Sequence, residues 1–268
     1  MDTPRLIASD VDGTLIDPHH RLTERTLAAL RRARAAGVEL VLVTGRPPRW
    51  IPPVAVPAEL TGYAVCANGA LVYHIGDGEL VSAHTLDPLL LHDVAHALEK
   101  VLPGMQVATE RPVLGDETAG ALASEHGYHN PWGDEESRFL PRAEVLGEPA
   151  TKLLVRHRGM TSAEMALAAR ELVGESVDVT YSTNSGLIEI SAAGVTKASG
   201  LAEVTTLLGV DAAGVVAFGD MNNDVEMLRW AGLGVAMGNA SAEVKGCADE
   251  VTATNGEDGV ALVLERWF

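Results

Sequence analysis

The sequence has little with which to cross-link itself: two cysteines in 268 residues, Cys66 and Cys247, far apart and outside any C-x-x-C pattern. A disulfide framework is excluded, and a reducing cytoplasmic setting suits the pair. Aromatic residues make up only 4% of the chain. Ala, Val and Leu must therefore fill the interior. No run approaches the roughly 18 apolar residues of a membrane span, and no leader-like segment opens the chain. Cationic surplus is missing too, since 20 Lys and Arg face 37 Asp and Glu for a formal charge of −17. Such a surface repels nucleic acid and anionic membranes, whose binding draws on general positive potential. A small phosphorylated molecule is still permitted, because it needs only local charge from a metal, a lysine and oriented N–H groups.

What is present reads as an ordinary globular protein, 47% hydrophobic. Its length allows one large α/β unit or a main domain with a second one inserted. Leu6 to Ser9 reads as a buried strand that delivers Asp10 to its carboxyl end. A helix over about 23–36 stops at Gly37, and strands follow at 38–43 and 63–67. Leu71–Tyr73 and Glu79–Thr85 read as a hairpin around Gly76-Asp77-Gly78. From the cap Asp87 and Pro88 the pattern changes to short helices and strands, the clearest strands being 153–155, 177–181 and 187–190. After Gly194 the strand and helix alternation returns: helix 197–208, strand 215–218, helix 224–231, strand 233–237 and a last helix near 256–265. Alternation of this kind predicts a doubly wound, Rossmann-like parallel sheet with right-handed crossovers. The expected division is a core of residues 1–84 and 192–268 around an inserted α+β cap, 85–191.

The chemistry-bearing residues fall where these strands end. In an extended segment residues i and i+2 share a side, so Asp10 and Asp12 can aim two carboxylates at one spot, and Gly13 lets the chain turn away. Ligands of open α/β sheets bind beyond the carboxyl ends of the strands. Acidic glycine turns are common, but D-x-D-G-T arises by chance in only about one chain of this length in several hundred. Thr44 and Gly45 end the second strand and can meet a phosphoryl oxygen. Lys197 opens the helix after the inserted segment and can neutralise phosphate charge. The run Gly219-Asp220-Met221-Asn222-Asn223-Asp224 puts carboxylates and amides where a hard cation would sit, although Asn222 or Asn223 would also serve as a helix cap. His92 and His96, at i and i+4, have zinc spacing but no third ligand, and His19-His20 reads as surface. Neither a G-x-x-x-x-G-K-[ST] loop nor a dinucleotide G-x-G-x-x-G is present.

Taken together, Asp10-Val11-Asp12-Gly13-Thr14-Leu15, Val43-Thr44-Gly45-Arg46, Asn68-Gly69-Ala70, Lys197, Gly219-Asp220 through Asp224, Gly234 through Ala240 and Asn255-Gly256 with Gly259-Val260-Ala261 resemble the haloacid dehalogenase (HAD) superfamily. Within it the chain looks like the Cof-type phosphatases, subfamily IIB, whose cap follows the second motif. The resemblance implies that Asp10 is the nucleophile forming an aspartyl-phosphate and Asp12 the general acid and then base. It implies Mg2+ bound by the Asp10 carboxylate, the Asp12 backbone carbonyl and Asp220, and phosphate bound by Val11, Thr44, Gly45, Lys197 and Asn223. Asp224 would hold Lys197 or the metal's waters. The implied activity is hydrolysis of small phosphorylated metabolites, sugar phosphates first, with a phosphomutase or a noncatalytic phosphometabolite-binding protein as the alternatives. Ser182, Asn184 and Ser185, in a cap turn, are candidates for substrate contact. The oligomeric state is not legible.

Overall fold

The computed structural model describes residues 2–114, 121–130, 133 and 136–268. Along the chain the strands are β1 (Leu6–Ser9), β2 (Glu39–Val43), β3 (Tyr63–Cys66), β4 (Leu71–His74), β5 (Glu79–Ala83), β6 (Gln106–Glu110), β7 (Leu122–Glu125), β8 (Ser137–Leu140), β9 (Lys152–Arg156), β10 (Val177–Thr180), β11 (Leu187–Ala192), β12 (Val215–Gly219), β13 (Leu233–Ala236) and β14 (Glu250–Val251). The helices are α1 (Glu24–Ala35), α2 (Pro52–Ala55), α3 (Pro88–Leu98), α4 (Arg142–Val145), α5 (Ser162–Val173), α6 (Lys197–Leu208), α7 (Val225–Trp230), α8 (Ala242–Lys245) and α9 (Gly259–Leu264). The chain divides into two compact units, Met1–Ser82 with Thr196–Phe268, and Ala83–Val195.

The first unit is built on an eight-stranded sheet in the order β14-β13-β12-β1-β2-β3-β4-β5. From β14 to β3 neighbouring strands are parallel, and β4 then turns back antiparallel on β3. The alternation that predicts an all-parallel sheet therefore holds for six strands, and the hairpin of β4 and β5 extends one edge. Successive strands grow outward from β1 on both sides, so the order reverses between β1 and β12. In open α/β sheets the crevice opens at that reversal. Ile7, Leu40, Leu42 and Phe218 are fully enclosed or nearly so, as central parallel strands covered on both faces require. Leu6 and Ala8 join one cluster with Leu201 and Val204 of α6 and Met227 and Leu228 of α7. Thr23 caps α1 by accepting from the Thr26 N–H, and Gly37 leaves the helix at φ 82.

The second unit has a six-stranded sheet in the order β10-β11-β9-β6-β7-β8. It is antiparallel except for the pair β7 and β8. Its α3 begins as read, with the Asp87 side chain accepting from the Leu90 N–H and Pro88 in the first turn. Thr161 and Glu164 form a full capping box at the start of α5. Val107, Leu153, Val155, Ile188 and Ile190 pack in one cluster with Leu91, Leu98, Met165 and Ala169 of the two helices. The alternate residues of the same strands include Glu110, Lys152 and Glu189, all buried. Glu110, the last residue of β6, breaks the apolar signature of that strand and obscures it in sequence.

Phe218 lies wholly inside the first unit. Phe218→Ala should therefore cost about 3–5 kcal/mol in urea unfolding, the range for emptying a well-packed aromatic site. A loss below about 1 kcal/mol would show that this strand is not the centre of the core.

Candidate active site

Four strand ends and one helix start converge at the carboxyl edge of the first unit's sheet. Asp10 follows β1 directly, and its N–H donates to the Phe218 carbonyl at 3.0 Å, tying it to the end of β12. The chain then leaves the extended form. Val11–Leu15 is a tight turn with non-helical angles at Asp12 (φ −80, ψ 120) and at Gly13 (φ 79). Asp10 and Asp12 thus do not share a direction by strand alternation. Asp10 is buried and accepts from Lys197 Nζ at 2.6 Å, whereas the half-exposed Asp12 carboxylate takes two bonds from Arg46, at 2.7 Å from Nε and 2.6 Å from Nη2. Gly13 is needed on a second count: a Cβ there would lie 2.3 Å from Asp220 Oδ2.

Lys197 is the first residue of α6, whose N-cap Thr196 accepts from the Ser199 N–H. The whole lysine is enclosed, 1% exposed, and its ammonium donates to Asp10 Oδ1 and Asp224 Oδ1, both at 2.6 Å. Asp224 is fixed at its other oxygen, which accepts from the N–H groups of Asp220 and Met221 at 3.0 and 2.9 Å. Asp220 is oriented by the Thr14 hydroxyl at 3.3 Å and by Asn239 Nδ2 at 3.1 Å, and the same amide donates to the Gly13 carbonyl. Arg46, Thr14 and Asn239 were visible in the motifs but carry no mark of their own. Their partners are supplied only by folding, across up to 226 residues of sequence.

Asp10, Asp220 and Asp224 each bring a carboxylate oxygen within 4.8 Å of the others. Three buried carboxylates thus face one ammonium. Burial, against the pull of Lys197, pushes the Asp10 carboxyl well above its usual range. Burial and then the charge of Asp224 push Asp220 up to about 7. Burial works against the Lys197 charge, but Asp10 and Asp224 outweigh it and hold the ammonium above its ordinary pKa. An excess of buried negative charge, made of hard oxygen donors, is the donor set of a divalent cation such as Mg2+ or Ca2+. Asp224 accepts three hydrogen bonds within the protein, against two at Asp220 and one at Asp10, so Asp10 and Asp220 keep more lone pairs for a cation.

The remaining sequence candidates are distributed unevenly. Val11 and Thr44 are buried beside the carboxylates' loops, with Thr44 Oγ1 accepting from the Arg46 N–H at 3.1 Å. A Cβ on Gly45 would stand 3.0 Å from Asn68 Oδ1, and Asn223 Nδ2 donates to that same oxygen at 3.1 Å. Asp224, rather than Asn222 or Asn223, closes the turn ahead of α7. In the second unit, Ser182 donates to Glu189 Oε1 at 2.6 Å and Asn184 Oδ1 accepts from the Ala163 N–H at the start of α5. Ser185 shares a hydroxyl contact with Thr183. These contacts are what a tied hairpin turn requires. His92, His96, His19 and His20 are all exposed, and among the described residues none joins a metal-binding group.

Fold and site together define an α/β phosphatase, a phosphoric monoester hydrolase. The family model of the haloacid dehalogenase-like hydrolases matches residues 7–264. The chain is 34% identical over 269 residues to the 5-amino-6-(5-phospho-D-ribitylamino)uracil phosphatase YitU of Bacillus subtilis, covering 99% of this chain and 98% of that one. It is 29% identical to an HMP-PP phosphatase of Cronobacter sakazakii, over 90% of this chain and 86% of that one. A haloacid dehalogenase-like hydrolase of Bacteroides thetaiotaomicron superposes with a TM-score of 0.76 at 28% identity, covering 99% of this chain and 100% of the other. A subclass IIB sugar phosphatase superposes with a TM-score of 0.83 at 23% identity, over 98% of each chain. The chain belongs to the haloacid dehalogenase-like hydrolases and, within them, to the Cof-type IIB phosphatases. No helix among the described residues is long and apolar enough to cross a membrane.

The raised acid of Asp220 has a consequence with a definite sign. Between its ordinary value of 3.8 and about 7 the folded protein holds a proton there that the unfolded chain has released, so its contribution to stability falls as pH rises across that window. In metal-free protein, Asp220→Asn should become progressively more stable than the parent from pH 4 to pH 7 in urea unfolding. A difference that is constant with pH, or that shrinks, would contradict the buried-charge account.

Proposed function

We propose that the protein hydrolyses small phosphate monoesters, sugar and polyol phosphates foremost, by Mg2+-dependent transfer of the phosphoryl group to Asp10. The observation that carries this reading is the buried Asp10 carboxylate, held on one oxygen by Lys197 and clustered with Asp220 and Asp224. Attack by a carboxylate on a phosphate dianion is opposed by charge, so catalysis here is mostly neutralisation and alignment. The Asp10 and Asp220 carboxylates and the Asp12 backbone carbonyl would hold the metal. Magnesium, when bound, supplies the positive charge that lets nucleophile and phosphate approach.

The chain's own groups do the rest. Asp10 Oδ2, free of the lysine bond, attacks phosphorus in line with the leaving oxygen. Lys197, the Val11 and Gly45 N–H groups, the Thr44 hydroxyl and Asn223 receive the phosphoryl oxygens, and Asp224 keeps Lys197 directed at them. Asp12, its carboxyl aimed by Arg46, protonates the departing alkoxide and then takes a proton from the water that hydrolyses the aspartyl-phosphate. Two relatives named for a 5-phospho-D-ribitylamino substrate favour an ester on a hydroxylated chain. A cytoplasmic setting fits two cysteines, Cys66 and Cys247, that form no disulfide.

A phosphate-release screen over sugar and polyol phosphates tests the substrate class. Turnover should require Mg2+ and end when it is chelated. Asp10→Asn should lower kcat on the order of 10⁴-fold or more. Isomerised ester in place of free phosphate would identify a phosphomutase, and binding without turnover a noncatalytic protein. A second comparison isolates the acid role of Asp12: in the pre-steady-state release of the leaving group, before the shared hydrolysis of the aspartyl-phosphate, Asp12→Ala should slow alkyl phosphates about 10²- to 10⁴-fold but 4-nitrophenyl phosphate much less, since that leaving group needs no proton. Equal losses on both would remove the general-acid role.

A further inference from the structure

The turn that follows β3 has no part in the scheme above, yet it touches most of the segments that do. Ala67 and Asn68 both lie in the left-handed region, at φ 50 and φ 59. Two consecutive non-glycine residues there are uncommon, and such strain persists where the surroundings hold it and a site makes use of it. The holding contacts are specific. The Ala67 N–H donates to the Arg46 carbonyl at 2.9 Å and the Asn68 N–H to the Thr44 carbonyl at 3.0 Å. Gly69 passes so close to α6 that a Cβ would lie 2.0 Å from the Thr196 carbonyl oxygen, and Gly200 of α6 is equally pressed against Val65 and Gly69. The turn is therefore fastened at once to the loop of Thr44 and Gly45 and to the helix start that carries Lys197.

The Asn68 side chain, itself buried, reaches the third segment. Its Oδ1 accepts from Asn223 Nδ2 at 3.1 Å and sits where a side chain on Gly45 would stand. Among the described residues that is the one hydrogen bond of the Asn223 side chain, whose Oδ1 is buried without a partner. An acceptor at this point decides which way the Asn223 amide faces, because only the NH2 end can satisfy it. We propose that Asn68 is a positioning residue for the phosphate-binding group: it orients Asn223 and packs against the bare face of Gly45, so that both meet the phosphoryl oxygens. This rests on the proposed role of Asn223 in holding phosphate.

Inorganic phosphate is the probe, as a competitive inhibitor of 4-nitrophenyl phosphate turnover by the full chain with Mg2+. Asn68→Gly keeps the left-handed backbone and removes only the amide, so it should fold with a Tm near that of the parent. It should weaken phosphate inhibition and raise KM about 3- to 10-fold, the worth of one hydrogen bond, with kcat lowered less. Asn223→Ala should weaken inhibition at least as much, and the double variant no more than Asn223→Ala alone, as coupled residues do. Asn68→Ser, too short to reach Asn223, should repeat the pattern if the glycine variant folds poorly. If Asn223→Ala weakens inhibition while Asn68→Gly and Asn68→Ser do not, or if the losses multiply in the double variant, the positioning role is overturned while the phosphate site stands. An unchanged response in Asn223→Ala overturns the phosphate role of Asn223 itself, and the positioning role with it.

Discussion

A lysine ammonium with almost no contact with solvent, bonded to two carboxylates, is the constraint on which the rest of this protein depends. A charge enclosed to that degree is tolerable only if it is paired and its hydrogen bonds are made. The pairing in turn dictates backbone. α6 must begin where Lys197 can reach under the sheet edge, and the glycines at 69 and 200 allow the approach. Asp224 must be fixed from behind, by the N–H groups of its own turn, so that its free oxygen faces the lysine. Asp10 must leave β1 with its N–H tied to β12, which places its carboxylate at the point where the strand order reverses.

The same pairing leaves negative charge over. One lysine cannot neutralise Asp10, Asp220 and Asp224, and burial together with that deficit raises the pKa of the first two. The protein is thus poised to bind positive charge before it binds negative charge. A divalent cation bound there would complete the balance, and a phosphate dianion would then meet a site that is no longer repulsive. The acidic exterior, with its formal charge of −17, is irrelevant to this local balance but discourages polyanionic polymers.

Much of this was legible in the sequence because the determinants are local. Leu6–Ser9, Asp10 and Gly13 announce strand, carboxylate and turn within eight residues, and the helix from Lys197 to Leu208 is bounded as read. Two kinds of feature were not. At Asp12 strand alternation was extended three residues past the end of β1, into a turn where Gly13 has φ 79, and Arg46 holds that carboxylate. Strands β6 and β7 were missed because buried Glu110 and Ser124 replace the expected apolar alternation, and β8 because none of its four residues is buried. Ser182 and Asn184, read as possible substrate contacts, are held by Glu189 and the start of α5. Long-range partners such as Asn239 for Gly13, or Asn68 for Asn223, have no sequence signature, since each is an ordinary amide until the strands bring it into place.

The account stands or falls on the covalent role of Asp10. The direct measurement is to quench the Asp12→Ala variant during turnover with Mg2+, reduce the mixture with borohydride, and locate the modified residue by peptide mass spectrometry. An acyl phosphate on Asp10 would be reduced to homoserine at position 10, and at no other aspartate. Turnover with no reducible acyl group, or with the label on Asp220 or Asp224, would contradict the account.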